Sequence, residues 1–189
     1  IVGDFARPGA DAIVNVVGLM ALPDGETQMV AGIQLLNTDT AVVNVSGGNT
    51  EIEMFSSSNG GEATESLTVT ADADLVFPEL SSDLESFDGS GVVGTLTTSI
   101  DSWNGDAGLD FVGAEGGTNL TIDDAGVDAI DSIGGAGPVA LTIGDGTGSD
   151  EVDLTETDLS NITSVTLSDG SELSLTMEQA ADIGAANFA

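Results

Sequence analysis

The chain contains no cysteine, histidine, lysine or tyrosine, and its single basic residue is Arg7. The absence of cysteine excludes disulfides. Without histidine, cysteine or lysine, the common nucleophile–base pairs, Schiff bases and zinc sites are excluded as well. Paired carboxylates, as in glycoside hydrolysis, are the catalytic arrangement that remains, but close pairs arise by chance among 33 acidic residues. We therefore expect a protein that is not an enzyme.

Aromatic residues are also scarce, at 4% of the 189 residues, and there are only four prolines. A core must therefore be built mainly from Val, Ile, Leu and Ala. Abundant Gly, Thr, Ser and Asp favour many short strands and tight turns over helices. The longest apolar run, residues 13–22, contains Asn15 and is too short to span a bilayer, so we expect no membrane insertion.

The charge has one sign almost throughout, and the net charge is −32. Such a chain repels nucleic acid and anionic membrane surfaces, so neither is an expected partner. It also repels itself unless cations neutralise it, through specific divalent-cation binding, general adaptation to high salt, or both. A hydrophobic fraction of 40% argues against disorder.

A nine-residue period runs through residues 105–130. A glycine recurs at one phase, an Asp or Asn two residues later, and a mostly β-branched residue two residues after that. This pattern resembles the calcium-binding nonapeptide of RTX β-rolls. The three phases are Gly108, Gly117 and Gly126; Asp110, Asn119 and Asp128; and Val112, Thr121 and Ile130.

The spacing itself explains why such a repeat binds calcium. Six residues rich in Gly and Asp form a turn, and three form a short strand whose middle side chain points inward. Two blocks then complete a coil of 18 residues, which would stack Asp110 on Asp128 and offer Ca²⁺ the oxygen ligands that it prefers. The alternative is a set of solvated Gly-Asp turns in an ordinary β protein.

The predicted metal ligands follow from this repeat and from a related run at residues 144–152, which is four residues out of phase. Asp110 and Asp128 rank first and Asp150 second. The remaining candidates are positions predicted to lie in turns: Asp106, Asp123, Asp124, Asp145 and Asn119.

The C-terminal third has a second resemblance, to bacterial surface-layer proteins and large adhesins of type I secretion. The similarity lies in the runs DLS at 158–160, ITSVTL at 162–167, DG at 169–170, and QAA at 179–181. Together with the nonapeptides it covers residues 105–184, about half of the chain. It implies a β-solenoid at the cell surface and says little about what is bound.

Turn signals predict further local structure. A Pro-Asp-Gly turn at 23–25 predicts a hairpin, Gly-Gly-Asn at 47–49 a second hairpin or a corner between coils, and Asp169-Gly170 a strand–turn–strand unit. Thr176 and Gln179 form a capping box for a short helix that ends at Gly184. Phe188 is a candidate docking anchor for this helix or for a neighbouring subunit.

These observations predict an all-β fold. We expect an N-terminal β-strand and hairpin region over residues 1–100, either sandwich-like or an irregular solenoid. A calcium-binding parallel β-solenoid would cover 101–175, and a helical cap 176–189.

The expected function is structural: a calcium-binding extracellular protein that assembles with itself into a surface layer, sheath or filament. The alternative is a calcium-stabilised module of a secreted adhesin that binds a surface or a cell-surface polysaccharide. A third reading, an ice- or surface-binding solenoid, requires a flat threonine array, and the segments TLTTS and TSVTLS are too short to show one.

Overall fold

The computed structural model shows a chain that winds through parallel β-sheets. It describes residues 2–4, 10–17, 27–36, 38–56, 64–80, 83–103, 108–125, 129–144, 146 and 150–189. A single α-helix, α1 (Met177–Ile183), and a 3₁₀ turn at Ala185–Asn187 close the described chain. The strands are β1 Val2–Asp4, β2 Ala10–Val17, β3 Gln28–Val30, β4 Ile33–Leu36, β5 Thr38–Ser46, β6 Thr50–Ile52, β7 Phe55–Ser56, β8 Ser66–Ala71, β9 Leu75–Val76, β10 Ser86–Val92, β11 Leu96–Trp103, β12 Asp110–Gly113, β13 Thr118–Ala125, β14 Ser132–Gly135, β15 Val139–Ile143, β16 Glu151–Asp153, β17 Asp158–Leu159, β18 Ile162–Leu167 and β19 Glu172–Ser174.

Two sheets carry the fold. Sheet I has seven strands in the order β17-β14-β12-β10-β8-β5-β2. Sheet II has nine strands: seven follow the order β18-β15-β13-β11-β9-β6-β3, and β16 and β19 pair beside them. A smaller sheet holds β1, β4 and β7. Neighbouring strands are parallel throughout the described chain, and the chain passes repeatedly from sheet to sheet, although β15 and β16, and β18 and β19, share sheet II. The predicted β-solenoid is therefore confirmed.

Side chains alternate between the interior and the two outer faces, as expected for strands. In β5 the inward residues Ala41, Val43 and Val45 are buried, while the residues between them are half-buried on the outer face. Because each coil repeats this alternation in register, the inward residues of all coils form one continuous apolar core. The small β-branched and aliphatic residues that dominate the composition therefore fill the interior.

The few aromatic residues are concentrated inside this core. Phe55, Phe77, Phe87 and Phe111 form a ladder in which successive ring centroids lie 5.4, 6.0 and 5.1 Å apart. Phe77, Phe87 and Phe111 are fully buried. The ladder uses four of the six phenylalanines to fix the stacking of the coils.

The coils are longer than predicted. Asn44 lies beside Asn15, 29 residues earlier, and Thr70 lies beside Asn44, 26 residues earlier. Ser132 lies beside Asp110, 22 residues earlier. The predicted coil of 18 residues is therefore wrong. The segment from Gly108 to Gly117 contains β12 and passes through sheet I. The segment that follows it, through sheet II, is longer than a second nonapeptide.

The hairpin predicted around residues 23–25 is wrong. β2 pairs with β5 in sheet I, whereas β3 pairs with β6 in sheet II, and the Pro-Asp-Gly turn between β2 and β3 lies outside the described residues. The Gly-Gly-Asn segment at 47–49 is a corner between sheets, which was the other interpretation of it. Asp169 and Gly170 form the predicted turn between two strands, and these strands do not pair with each other: β18 pairs with β15 and β19 with β16. An alternation of apolar and polar residues is compatible with both a hairpin and a solenoid. Here each strand pairs with a strand of the neighbouring coil.

Both sheets continue without interruption across residue 100. β10 pairs with β12 in sheet I and β11 pairs with β13 in sheet II. The first hundred residues therefore contribute strands to the same two sheets as the residues that follow.

The predicted C-terminal helix is confirmed. Thr176 Oγ1 accepts a hydrogen bond from the Gln179 backbone N–H at 3.2 Å, and Gln179 Oε1 accepts one from the Thr176 backbone N–H at 2.7 Å. Gln179 Nε2 also donates to the backbone oxygens of Leu154 and Thr157, both at 2.7 Å. Ile183 is buried against the last coil. The helix is thus attached to the solenoid by both polar and apolar contacts.

The chain end pairs with the outermost strand of sheet II. Ala189 N donates to Val165 O at 3.0 Å, and Leu167 N donates to Ala189 O at 3.2 Å. Phe188 forms a parallel bridge with Val165. Helix and chain end together cover an edge that would otherwise be open to pairing with other strands.

Candidate metal centre

The predicted metal ligands are distributed over several parts of the solenoid. Four of the eight have described side chains: Asp110, Asn119, Asp123 and Asp150. Asp124 lies in β13, and its side chain is outside the description. Asp106, Asp128 and Asp145 lie outside the described residues.

Asp110 is exposed on the outer face of sheet I, at the start of β12. The prediction that it stacks on Asp128 is wrong, because the residue beside it in the next coil is Ser132, whose Oγ donates to Asp110 Oδ1 at 2.6 Å. The next position in this line after Ser132 is Asp158. Across these three neighbouring strands of sheet I, a serine therefore lies between two aspartates.

Asn119 was predicted to lie in a turn, and this is wrong. It lies in β13 and is exposed on the outer face of sheet II, where its Nδ2 donates to Thr97 Oγ1 at 3.5 Å. Asp110 and Asn119 share a phase in the nonapeptide but lie on different sheets, because the corner between β12 and β13 separates them. Asp123 and Asp124 also belong to β13 and not to a turn.

Two predicted ligands are related to one glycine, Asp150 by side-chain proximity and Asp123 by strand register. Asp123 follows Ile122, which pairs with Ile143, so the position beside Asp123 in the next coil is Gly144. The Gly144 backbone N–H donates to Ile122 O at 2.8 Å. Asp150 Oδ2 lies so close to Gly144 that a Cβ there would overlap it. We call Asp123, Gly144, Asp150 and Ser171 the Gly144 corner.

The backbone of this corner turns tightly at two glycines. Gly144 has φ = 79° and Gly146 has φ = 82°, both in the left-handed region that favours glycine. The Asp150 carboxylate is half-buried, and its Oδ2 accepts a hydrogen bond from Ser171 Oγ at 3.1 Å. Asp123 Oδ1 is buried. The corner therefore holds the Asp150 carboxylate and the Ser171 hydroxyl beside Gly144, with Asp123 at the adjoining register position of β13.

No group of three or more acidic side chains with the geometry of a metal site occurs within the described part of the chain. A calcium ion does not require one, because it also accepts backbone carbonyl, hydroxyl and water oxygens among its six to eight ligands. The donor set at the Gly144 corner is entirely oxygen, which suits Ca²⁺ or Mg²⁺ and not a soft metal.

Other carboxylates, which the nonapeptide pattern does not select, bond to the backbone of neighbouring coils. Asp72 accepts from the backbone N–H groups of Gly47 and Gly48, at 3.1 and 3.4 Å. Asp74 Oδ1 accepts from Thr95 N at 2.8 Å. The sequence signal for these two residues was the acidic interruption at 72–74 of an apolar strand region. They show that part of the acidic content has a structural use at corners.

No protein-family model matches the chain, and no curated protein or solved structure matches it either. Among the described residues, no helix has the length and apolar character needed to cross a membrane.

Proposed function

We propose that this chain is a structural, calcium-binding module of an extracellular protein, and that it assembles with further copies into a surface layer, sheath or filament. The proposal is supported first by composition. A chain with 33 acidic residues and one basic residue cannot bring two copies together without cations. It also lacks the residue types of the common catalytic sites, whereas a repetitive parallel solenoid offers extended faces for contact.

One observation carries the proposal. A single line of register positions along the outer face of sheet I contains three exposed aspartates, with hydroxyl residues at every position between them. Asp88 lies in the adjacent line, two residues after Ser86. The line consists of Asp11, Thr40, Ser66, Ser86, Asp110, Ser132 and Asp158. We call Asp11, Asp88, Asp110 and Asp158 the acid face.

The acid face explains why assembly would depend on calcium. Strands are about 4.8 Å apart, so Asp110 and Asp158, two strands apart, are separated by roughly 10 Å along the sheet. Two such faces repel each other in monovalent salt. A divalent cation between them accepts carboxylate oxygens from both copies, since Ca²⁺ tolerates irregular sets of six to eight oxygen ligands.

The Gly144 corner is the proposed calcium site within one copy. Extracellular calcium modules bind with dissociation constants of about 10⁻⁴ to 10⁻³ M, so such a site fills outside a cell and stays empty in a low-calcium cytosol. Folding of the last coils would then be coupled to export. The resemblance to RTX and surface-layer proteins also supports an extracellular location.

The adhesin alternative is less well supported by the distribution of aromatic residues. Carbohydrate-binding surfaces rely on exposed aromatic rings. Here four phenylalanines form the interior ladder, and Phe188 is the exposed aromatic residue among the described side chains, at 37% exposure. The structural role therefore ranks first.

The decisive experiment is sedimentation velocity, combined with electron microscopy, in about 10 mM CaCl₂, which exceeds the usual dissociation constants of extracellular modules. NaCl at the same ionic strength is the reference. We expect large assemblies with calcium alone. Monomers in both solutions would refute self-assembly and favour the adhesin.

A matched pair of variants locates the contact. D110N/D158N removes two charges from the acid face and should abolish assembly by calcium. D169N/E178Q removes two exposed charges elsewhere and should leave assembly unchanged. Equal assembly of both variants would exclude the acid face as the contact.

A further inference from the structure

The outer face of sheet II carries a regular array of small uncharged side chains, most of them hydroxyl residues, over β11, β13, β15 and β18. Two residues of each strand, separated by one inward residue, belong to it. The strands pair in register through these positions, and the one register shift between β15 and β18 precedes the array. We call the following eight residues the hydroxyl array: Thr97 and Ser99, Asn119 and Thr121, Ala140 and Thr142, and Ser164 and Thr166.

Each line of this array runs across all four strands. Ser99 lies beside Thr121, Thr121 beside Thr142, and Thr142 beside Thr166. All eight side chains are exposed or half-buried, while the residues between them, such as Leu120 and Leu141, are buried. The hydroxyl array is therefore an outer surface supported directly by the core.

The hydroxyl array contains no charged residue, although acidic residues number 33 in the chain. The acid face on the opposite sheet shows that the outer positions of this solenoid readily accept aspartate. Acidic residues resume immediately beside the array, where Asp101 pairs in register with Asp123. A neutral array of mostly hydroxyl and methyl groups within so acidic a surface complements an uncharged partner.

The spacing of the array identifies a partner that is itself periodic. Neighbouring strands are about 4.8 Å apart, and alternate residues of one strand about 6.7 Å apart. Water molecules joined tetrahedrally by hydrogen bonds of about 2.75 Å have next-nearest oxygens about 4.5 Å apart, and the layers of hexagonal ice repeat at about 7.3 Å. Both spacings of the array agree with those of ice to within about 10%.

We propose that the hydroxyl array binds ice, by ordering water molecules that join the lattice. Threonine suits this task because its hydroxyl hydrogen-bonds to a water while its methyl group holds neighbouring waters in place, and its β-branched side chain has few rotamers. A surface that is already ordered loses little conformational entropy on binding. Four adjacent strands provide this two-dimensional match, which neither threonine-rich segment provides alone. This activity is independent of calcium-driven assembly.

The test is partition of the protein into slowly growing ice, together with thermal hysteresis measured by nanolitre osmometry, both in calcium-containing buffer. We expect the chain to enter ice and to separate the melting and freezing temperatures. T142K places a charge at the centre of the array, and an ammonium group without a partner against ice should weaken binding by about tenfold or more. T68K makes the same change on the outer face of sheet I and should bind ice as the original chain does.

Circular dichroism and thermal melting of both variants establish that they are folded. The conservative variant T142S, which keeps the hydroxyl group, provides a second measurement if T142K does not fold, and it should retain part of the hysteresis. Exclusion of the original chain from ice would overturn the proposal. Equal loss of binding in T142K and T68K, or equal retention, would also overturn it, because the array would then not be the binding surface.

Discussion

Phe87 stacks face to face on Phe111 in the core, with ring centroids 5.1 Å apart and ring planes inclined by 6°. The two residues occupy equivalent positions in successive coils of sheet I. Ile133 takes the next equivalent position. The core is thus a column of side chains in register, in which each coil supports the coil on either side.

Replacement of Phe111 by Ala should therefore lower the free energy of unfolding by about 3–5 kcal/mol, because it removes a buried ring and leaves a cavity. Urea unfolding followed by circular dichroism measures the change. V112A alters the neighbouring residue, which is 38% exposed, and should cost less than about 1 kcal/mol. Similar losses in the two variants would show that the ladder does not support the coils.

Glycines at one corner allow the coils to approach closely. A Cβ on Gly116 would overlap the backbone oxygens of Val93 and Gly94 in the preceding coil. G116A should therefore force a backbone shift and cost about 1–3 kcal/mol. G146A is the control, because its Cβ would meet nothing within 4 Å although its φ is 82°. Its cost, about 1 kcal/mol, should reflect backbone strain alone. If G116A proved no more destabilising than G146A in thermal melting, close approach would not be the reason for glycine at position 116.

The cap should contribute to stability through Gln179. Q179A removes the donor that bonds to the backbone oxygens of Leu154 and Thr157, and it breaks the capping box with Thr176. We expect a loss of about 1–3 kcal/mol, since both part-buried backbone oxygens lose a hydrogen bond, although Leu154 O keeps the one from Thr157 N. Hydrogen exchange should also accelerate at Leu167 and Ala189, whose backbone N–H groups join the chain end to β18. E178A, at the exposed adjacent position, should change neither quantity. Unchanged exchange in Q179A would show that the cap and the chain end are uncoupled.

The sequence identifies the fold class and the cap because both depend on local patterns. Glycine and Asx periodicity indicates turns between short strands, and the capping box at Thr176 specifies its helix from four residues. The length of a coil depends instead on which strands pair. Nothing near Asp110 shows that its neighbour is Ser132, because the register is set by packing of inward residues such as Phe111 against Ile133.

The candidate surfaces also depend on strand register, which local sequence patterns do not give. The eight residues of the hydroxyl array are spread over residues 97–166, and only the register brings them together. The turn pattern points to Asp123 and Asp150 separately, and only the pairing of Ile122 with Ile143 shows that Asp123 adjoins Gly144, which Asp150 approaches. The residue types could be recognised in the sequence, but their grouping required the structure.

Calcium should stabilise the chain through the Gly144 corner. At a concentration about ten times the dissociation constant, binding to the folded state alone raises the free energy of unfolding by about 1.4 kcal/mol. D150N removes a carboxylate charge that contacts Gly144 and bonds to Ser171, so calcium should stabilise this variant much less. D169N, in an exposed turn, should respond to calcium as the original chain does. If calcium stabilised the original chain, D150N and D169N equally, the ion would bind at a site other than the Gly144 corner.

Monovalent salt should stabilise the chain in a different manner. With a net charge of −32, repulsion among acidic residues opposes folding. The distance over which charges act falls from about 30 Å at 0.01 M salt to about 8 Å at 0.15 M. NaCl should therefore raise the melting temperature gradually, and by the same amount in the original chain and in D150N, because screening acts on all the acidic residues. Calcium at equal ionic strength should add a further increase that D150N loses. If NaCl reproduced the whole effect of calcium in the original chain, the acidity would be an adaptation to high salt and the Gly144 corner would not be a metal site.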